Sequence, residues 1–340
     1  EAMEEEIKAF MELDVFDEID EEPGMKVVSS RWIFTIKRTP QGTIDRFKAR
    51  LVARGFTQQF GVDYWETFSP TVMACSIRTF VTVCKAQGMA IHQMDVRTAF
   101  LHGEIDGRIY IRPCAPFNKP GKVWVAKKAF YGLKQAPRCW MKKLNTILLQ
   151  IGFRPTKSDK CIFVRMDGNC MSYILVYVDD MLVSAKDPAV LEQIKAQLKQ
   201  QLEVKDMGEI GTFLGVDFKS AADGKCLTMS QERYIEELAD RFNLRDAKPQ
   251  TSLPPIDTIE FTEEDQVNEM LPVRNLIGGL LFIANMTRPD ISAAVSFLSR
   301  HLSRPSERIW KYCKQVLRYL RTTKEKKLVL GDLDGSSLVV

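Results

Sequence analysis

The sequence has little of what a zinc protein, a secreted protein or a membrane protein needs. It has only 3 histidines in 340 residues, and none of its 8 cysteines forms a C-x-x-C pair, which argues against a zinc site. No run approaches the ~18–20 apolar residues of a membrane span. The acidic start is the opposite of the basic region that opens a signal peptide. Scattered cysteines are typical of reduced thiols in an intracellular protein.

The net charge of +4 conceals an uneven distribution. Residues 1–22 hold eleven Asp and Glu and one Lys, a net −10, which leaves +14 on the rest of the chain. Contacts of Lys and Arg to phosphate supply most of the sequence-independent affinity for nucleic acid. The remainder is therefore a candidate polyanion-binding surface, although a basic surface that only aids solubility explains the charge equally well.

The spacing of apolar residues predicts several helices. An acidic helix is expected over residues 1–22 and is ended by Pro23-Gly24. Later helices are predicted at 72–87, 138–151, 187–204, 230–243, 272–286, 290–302 and 306–322. Residues 213–218 are predicted to form a strand, in which Gly215 would permit a close backbone approach.

A basic hairpin is predicted near the start of the chain. Residues 27–36 and 47–55 have the composition of two strands joined by a turn around Pro40-Gln41-Gly42. Alternation places Lys48 and Arg50 on one face. Such a cationic face suits a nucleoside triphosphate or a template backbone, whereas exposed cationic strands also discourage edge pairing.

Residues 172–184, SYILVYVDDMLVS, place two adjacent carboxylates inside an apolar run. The Ile, Val and Tyr content predicts two strands, with Asp179 and Asp180 at the tip of a hairpin. Two carboxylates ~4 Å apart repel by roughly 4 kcal/mol at an effective dielectric near 20. Such a pair needs solvent, a proton or a cation, and Mg²⁺ prefers hard oxygen ligands of this kind. Considered alone, an ordinary exposed Asp-Asp turn explains the stretch.

A third carboxylate, Asp95, has a similar setting. Residues 89–96 are predicted to form a strand and Thr98 to begin a helix, so Asp95 falls at a strand end, where α/β sheets place ligand groups. Three carboxylates from two adjacent strands could hold two metal ions for in-line phosphoryl transfer.

Five segments occur in a recognisable order: KARLVARGFTQ at 48–58, HQMDVRTAFLHGEI at 92–105, YGLKQAPRCW at 131–140, YVDD at 177–180 and FLGVD at 213–217. Together they resemble the reverse transcriptase domain of copia-type (Pseudoviridae) LTR retrotransposon polyproteins. The Y-x-D-D box alone is a weak motif, whereas five ordered blocks are specific. The resemblance extends from Glu1 to about residue 325.

The resemblance implies an α+β fold, a right-hand polymerase with fingers, palm and thumb and a ferredoxin-like βαββ palm sheet. The domains expected from it are an acidic lead helix at 1–25, fingers at 26–88 and 106–138, a palm with the catalytic aspartates at 89–105 and 139–229, a helical thumb and connection at 230–325, and at 326–340 a linker toward a ribonuclease H domain. Asp332 and Asp334 do not match the opening motif of that domain.

The resemblance also implies roles for particular residues. Asp95 and Asp179 would coordinate two Mg²⁺ ions, with Mn²⁺ as an alternative, supported by Asp180 and by the Val96 carbonyl. The residues expected to bind the nucleotide are Lys48, Arg50, Phe100, Gln135 and Val178. The residues expected to contact the primer or template are Phe213, Leu214, Gly215, Gly278 and Gly279. Phe100 would exclude a sugar 2′-hydroxyl, although a plain core position is the alternative, and Gln135 could instead be a simple helix cap.

The expected function is that of an RNA-directed DNA polymerase, which extends a primer 3′-hydroxyl with dNTPs on an RNA or DNA template. The expected partners are primer–template, dNTPs and a downstream ribonuclease H domain, with no membrane. The expected location is intracellular, in cytoplasmic virus-like particles or the nucleus. Two rivals remain: a nucleic-acid-binding relic that does not polymerise, and a carboxylate-rich phosphoester hydrolase.

Overall fold

The computed structural model describes residues 1–38, 43–221, 224–255 and 266–331. The turn predicted at Pro40-Gln41-Gly42 and the carboxylates of Asp332 and Asp334 lie outside these residues. The chain divides into two compact units. The first comprises residues 1–72, 93–183 and 188–207, and the second comprises residues 73–92, 184–187 and the chain from 208 onward.

The described residues form eight α-helices and fifteen strands. The helices are α1 (Ala2–Glu12), α2 (Ala74–Ala86), α3 (Ala136–Gln150), α4 (Pro188–Gln201), α5 (Glu232–Arg241), α6 (Val273–Met286), α7 (Ser292–Ser299) and α8 (Glu307–Thr322). The strands are β1 (Phe16–Asp20), β2 (Val27–Arg38), β3 (Ile44–Ala53), β4 (Ala90–Val96), β5 (Glu104–Arg112), β6 (Lys122–Lys128), β7 (Arg154–Pro155), β8 (Ile162–Asp167), β9 (Cys170–Tyr177), β10 (Asp180–Ala185), β11 (Val204–Glu209), β12 (Thr212–Phe213), β13 (Val216–Ser220), β14 (Cys226–Ser230) and β15 (Leu328–Gly331).

The first sheet contains the predicted basic hairpin. Its five strands have the order β1-β6-β5-β2-β3, and β2 pairs with β5 in parallel, whereas the other pairs are antiparallel. Leu51, Ile111 and Trp124 from the sheet pack with Phe10 from α1 in one buried cluster. This apolar layer fixes the base of the hairpin.

The acidic N-terminal helix is shorter than the predicted range of 1–22. It ends at Glu12, and β1 follows after Asp14, which has a φ of 51°. The Phe16 ring stacks on the Trp124 ring at 3.8 Å, so β1 is held by packing on β6. Its acids also pair with lysines on or beside β6: Glu18 with Lys119, Asp20 with Lys122 and Asp17 with Lys127. These partners lie about a hundred residues away, which local helical spacing does not reveal.

The second sheet has the topology that the resemblance implies. Its six strands have the order β11-β4-β10-β9-β8-β7. Along the chain, β4, α3, β9, β10, α4 and β11 follow a β-α-β-β-α-β order, with β5 and β6 inserted before α3 and β7 and β8 inserted before β9. The central strands lie as β11-β4-β10-β9, which is the ferredoxin-like arrangement. The predicted α+β class with a ferredoxin-like palm sheet is therefore confirmed.

The second unit combines a helical cluster with a sheet of order β12-β13-β14-β15. Side chains of α5, α6, α7 and α8 form a buried core. The helix predicted at 306–322 is confirmed as α8, whose side chains Cys313, Leu317 and Leu320 are buried. The helix follows Ser306, whose hydroxyl accepts a hydrogen bond from the Ile309 N–H and so caps its first turn.

Two segments of the second unit differ from the prediction. Residues 213–218, predicted as one strand, form a hairpin between β12 and β13. Leu214 and Gly215 have φ angles of 51° and 74°, the two positive angles of a type I′ turn. Residues 328–331, predicted as part of a linker, form β15 and pair with β14, because an apolar run such as Leu328-Val329-Leu330 favours a strand.

Candidate active site

Asp179 lies in the tight turn between β9 and β10, which it forms with Val178. Val178 has a φ of 55°, a left-handed angle that β-branched residues rarely adopt. A positive angle at the first of two loop positions is the type II′ pattern, where Gly is the usual residue. Val178 therefore stores about 1–3 kcal/mol of strain in the turn.

Two hydrogen bonds hold the strained turn in place. The indole Nε1–H of Trp140, a buried residue of α3, donates to the Val178 carbonyl at 2.6 Å. The backbone N–H of Val96 donates to the Asp179 carbonyl at 2.8 Å. Because Val96 follows Asp95 at the end of β4, the second bond brings Asp95 and Asp179 to adjoining strand ends.

The three carboxylates lie within one another's electrostatic field. Partial burial raises the pKa of Asp95, and the charge of Asp179 raises it further, although Lys48 opposes the change. Burial also raises the pKa of Asp180; a hydrogen bond from Gln93 Nε2 at 3.4 Å opposes this, and the charge of Asp179 adds to it. The folded chain therefore concentrates negative charge that is incompletely solvated.

This donor set suits a divalent cation that is completed by other ligands. Among the described residues, no group of three or more His, Cys, Asp and Glu side chains is arranged to hold a metal ion. Asp180 is engaged with Gln93, which leaves Asp95 and Asp179 as the adjoining pair. Mg²⁺ is commonly bound by one or two carboxylates, with substrate phosphates and water completing the octahedron, so the residues present fit such an ion.

Lys48 and Arg50 lie on one face of β3, as the alternation predicts. Ala49 and Leu51 are buried on the opposite face. Burial and the positive charge of Arg50 lower the pKa of Lys48. The charge of Lys48 acts in turn on Asp95, so a cation stands close enough to the carboxylates to attract an anionic substrate.

Phe100 lies on a short 3₁₀ turn, Ala99–His102, where a helix was predicted. Its half-buried ring makes a T-shaped contact with Tyr131, with the ring centroids 4.8 Å apart and the planes at 76°. The guanidinium carbon of Arg50 lies over the same Tyr131 ring, 4.8 Å from its centroid. Sequence reasoning missed Tyr131 and Trp140 as site residues, although both belong to the 131–140 block.

The structure shows Gln135 in hydrogen bonds within the protein, and its contact with the nucleotide stays a prediction. Gln135 is only 5% exposed. Its Nε2 donates to the Asp63 carbonyl at 3.0 Å, and its Oε1 accepts from Gln58 Nε2 at 3.1 Å. Both ends of the amide are therefore engaged inside the protein, and Gln135 holds the loop of residues 58–63 against the start of α3.

The residues predicted to contact primer or template lie in the second unit. Leu214 and Gly215 form the β12–β13 turn, and Phe213 is buried beneath it. On α6, a Cβ at Gly278 would meet nothing within 4 Å, whereas one at Gly279 would lie 2.8 Å from Leu238 Cδ1. Gly279 is therefore buried against α5, whereas Gly278 is the exposed member of the pair, and the nucleic-acid contact of both stays a prediction.

A ferredoxin-like palm that carries one carboxylate at a strand end and another at the facing hairpin turn defines the class: the right-hand nucleic-acid polymerases. The family model for reverse transcriptase (RNA-dependent DNA polymerase) matches residues 13–257. The chain belongs to this family, whose members are nucleotidyltransferases that generally depend on divalent metal ions. No helix in the described ranges is both long and apolar enough to cross a membrane.

Similar proteins include Pol polyproteins of retrotransposons. That of transposon RE1 from Arabidopsis thaliana is 39% identical over 97% of this chain and 23% of its own length. That of transposon TNT 1-94 from Nicotiana tabacum is 35% identical over 98% of this chain and 26% of its own length. The putative transposon Ty5-1 protein of Saccharomyces cerevisiae is 36% identical over 73% of this chain and 80% of that protein. The chain thus spans about a quarter of the two plant polyproteins and is a reverse transcriptase domain of the LTR-retrotransposon type.

A solved structure of the foamy viral protease–reverse transcriptase in complex with double-stranded DNA has a similar fold. It superposes with a TM-score of 0.51 at 14% identity, over 94% of this chain and 47% of that one. This likeness supports the polymerase fold independently of sequence identity.

Proposed function

We propose that this chain extends the 3′-hydroxyl of a primer with dNTPs on an RNA or DNA template. Membership of the family supports RNA-directed DNA polymerase activity. The observation that carries the proposal is the hydrogen bond from the Val96 N–H to the Asp179 carbonyl. It fixes two carboxylate-bearing strand ends side by side, which a shared metal site requires.

Asp95 and Asp179 would hold two Mg²⁺ ions, or Mn²⁺ in their place, with Asp180 and the Val96 carbonyl in support. The raised pKa of Asp95, to which burial and the charge of Asp179 contribute, favours this assignment because a cation offsets both. Such ions lower the pKa of a hydroxyl nucleophile and stabilise the charge of a leaving group.

The side chains around the carboxylates would bind the nucleotide and select its sugar. The reaction joins the primer 3′-oxygen to the α-phosphorus of the dNTP and breaks the bond from that phosphorus to pyrophosphate. Lys48 and Arg50 would bind the triphosphate, because both cations lie on one face of β3 and the charge of Lys48 acts on Asp95. Val178 would border the nucleotide beside Asp179, and Phe100 would exclude a 2′-hydroxyl.

Primer–template would contact the second unit at the β12–β13 turn and on α6. The turn offers the backbone of Leu214 and Gly215, with Phe213 packed beneath it. Gly278 leaves the backbone of α6 open. Nucleic-acid binding is also supported by the foamy viral enzyme of similar fold, which was solved with double-stranded DNA.

Primer extension on an RNA template with Mg²⁺ tests the proposal. The wild-type chain should extend the primer, and Asp179→Asn should lose nearly all extension while it still binds duplex. Asp106→Asn is the matched control, because Asp106 is exposed and its ion pair within the described residues is a 3.8 Å contact with Lys142. Equal extension by Asp179→Asn and wild type would refute the assignment.

The same assay separates the rival functions. Salt-sensitive duplex binding without any extension would favour a nucleic-acid-binding relic, and release of mononucleotides without incorporation would favour a hydrolase. Because the plant relatives are polyproteins about four times longer, we also propose that a ribonuclease H domain follows in the full protein. Virus-like particles in the cytoplasm, or the nucleus, are the proposed location.

A further inference from the structure

We propose that Tyr131 is a positioning residue that couples triphosphate binding to the selection of the sugar. The inference rests on the proposed function, in which Arg50 binds the triphosphate and Phe100 excludes the 2′-hydroxyl. The geometry behind it is a single ring that contacts both residues: Arg50 lies over the ring at 4.8 Å, and Phe100 makes a T-shaped contact with it at 4.8 Å.

The backbone around Tyr131 is fixed against the end of β3. The Ala53 N–H donates to the Tyr131 carbonyl at 2.8 Å. Gly132 has a φ of 91°, and a Cβ there would lie 2.1 Å from the Ala53 carbonyl oxygen. Only glycine permits this approach, so the segment that carries Tyr131 is bound tightly to the strand that carries Arg50.

Phe100 is fixed from its own side by backbone contacts. The Gly103 N–H donates to the Phe100 carbonyl at 3.0 Å, and the Ala129 N–H donates to the Gly103 carbonyl at 2.7 Å. These bonds fix the backbone of the turn but do not set the orientation of the Phe100 ring. The Phe100 ring contacts the Tyr131 ring and also packs against the buried cluster of the first sheet, and we assign the orientation of the Phe100 ring to Tyr131.

Tyr131 also lies within the field of one site carboxylate, that of Asp179. Burial raises the pKa of Tyr131, and the charge of Arg50 lowers it while that of Asp179 adds to the rise. The Tyr131 ring therefore contacts Arg50, which is assigned to the triphosphate, and Phe100, which is assigned to the sugar. It also lies in the field of Asp179, which is assigned to the metal. If Arg50 moves when the substrate binds, the Tyr131 ring that it contacts would move with it and shift Phe100.

The test measures single-nucleotide incorporation with matched dNTP and rNTP. Tyr131→Leu should raise KM for dNTP by about 3- to 10-fold, because the cation–π contact is lost. It should also lower the dNTP/rNTP ratio of kcat/KM by about 3- to 10-fold, because the aromatic pair is lost. Tyr131→Phe keeps the ring and should retain the dNTP/rNTP ratio, whereas loss of its hydroxyl, which hydrogen-bonds with Arg50, should raise KM for dNTP by less than Tyr131→Leu does.

Arg50→Lys tests the coupling from the opposite side without altering the apolar core. The ammonium group keeps the charge but lacks the planar guanidinium that stacks on a ring. If Arg50 only bound the triphosphate, dNTP and rNTP would be affected equally and their ratio would not move. Coupling through Tyr131 predicts a fall in the ratio of about 2- to 5-fold.

Phe16→Leu is the control for general damage to packing. Phe16 is a partly buried aromatic on the same apolar cluster as Phe100, and its ring pairs with Trp124. It should lower stability without changing the sugar ratio. The double variant Tyr131→Leu with Phe100→Ala should discriminate no worse than Phe100→Ala alone, because Tyr131 acts through Phe100.

An unchanged ratio in both Tyr131→Leu and Arg50→Lys would overturn the coupling, as would a Tyr131→Phe variant as defective as Tyr131→Leu. These failures differ from failure of the proposed function. The latter appears as no extension by the wild-type chain, whereas the former requires a wild type that extends and selects dNTPs.

Discussion

Asp179→Asn is expected to stabilise the metal-free protein at neutral pH, although it should abolish polymerisation. The charge of Asp179 acts on Asp95, and two carboxylates in contact at about 4 Å would repel by about 4 kcal/mol at an effective dielectric near 20, which is an upper bound for this pair. Asp95 and Asp179 are each only half-buried, so solvent screening reduces this figure. We expect the variant to gain about 1–2 kcal/mol in free energy of unfolding.

The pH dependence follows from the raised pKa of Asp95, for which burial is the first cause and Asp179 the second. A carboxyl group whose pKa is raised by folding contributes stability that is present below its unfolded pKa and lost as the pH rises through its folded pKa. Wild type should lose this stability as the pH rises from about 4. Asp179→Asn should lose less stability over this range. The difference in free energy of unfolding between the variant and wild type should therefore increase with rising pH and disappear in acid.

Urea unfolding followed by tryptophan fluorescence suits the measurement, because four of the five tryptophans lie in the first unit. Mg²⁺ should stabilise wild type, since a ligand that binds only the folded state raises its stability. The variant should respond weakly, and Asp106→Asn should behave as wild type. An Asp179→Asn protein that is no more stable than wild type at pH 7, or that responds equally to Mg²⁺, would refute the reasoning.

Three further predictions follow from side chains around the site and on α6. Trp140→Phe should lower the free energy of unfolding, measured in urea, by about 1–3 kcal/mol, because the Val178 carbonyl loses its hydrogen-bond donor. It should also lower kcat, and an unaltered kcat would show that the turn needs no support from Trp140. Gln135→Leu should cost about 1–3 kcal/mol of stability, because two buried partners lose their hydrogen bonds, whereas a nucleotide contact would change KM and leave the unfolding midpoint in place. Gly279→Ala should destabilise the protein by about 1–3 kcal/mol through overpacking, whereas Gly278→Ala should stabilise α6 by about 0.5–1 kcal/mol. Gly278→Ala should also weaken primer–template binding in a filter or anisotropy assay. If Gly278→Ala were the less stable of the two variants, the packing described for α6 would be contradicted.

Local pattern predicted the elements that carry the carboxylates. The apolar run at 172–184 with two central aspartates predicts a hairpin, and the structure has β9 and β10 there. The apolar positions of α8 repeat at helical spacing and are buried as expected. These predictions succeed because each pattern is complete within the segment that it describes.

Other features depend on partners that are distant in sequence. Nothing near Gln135 indicates that Gln58 and Asp63 will occupy both ends of its amide. Similarly, the burial of Gly279 depends on Leu238. The resemblance identified these positions as functional, but a motif records which residue is present and not which neighbours that residue contacts.

The contact between α1 and β3 has a practical consequence. β3 is the outermost strand of its sheet, and the Glu6 carboxylate accepts a hydrogen bond from the Leu51 N–H at 3.2 Å on that open side. The family match begins at residue 13, so a protein trimmed to the match would lose α1 altogether. An uncovered strand edge can pair with the same edge of another molecule. Recombinant protein that begins at residue 13 should therefore aggregate more than protein that includes α1.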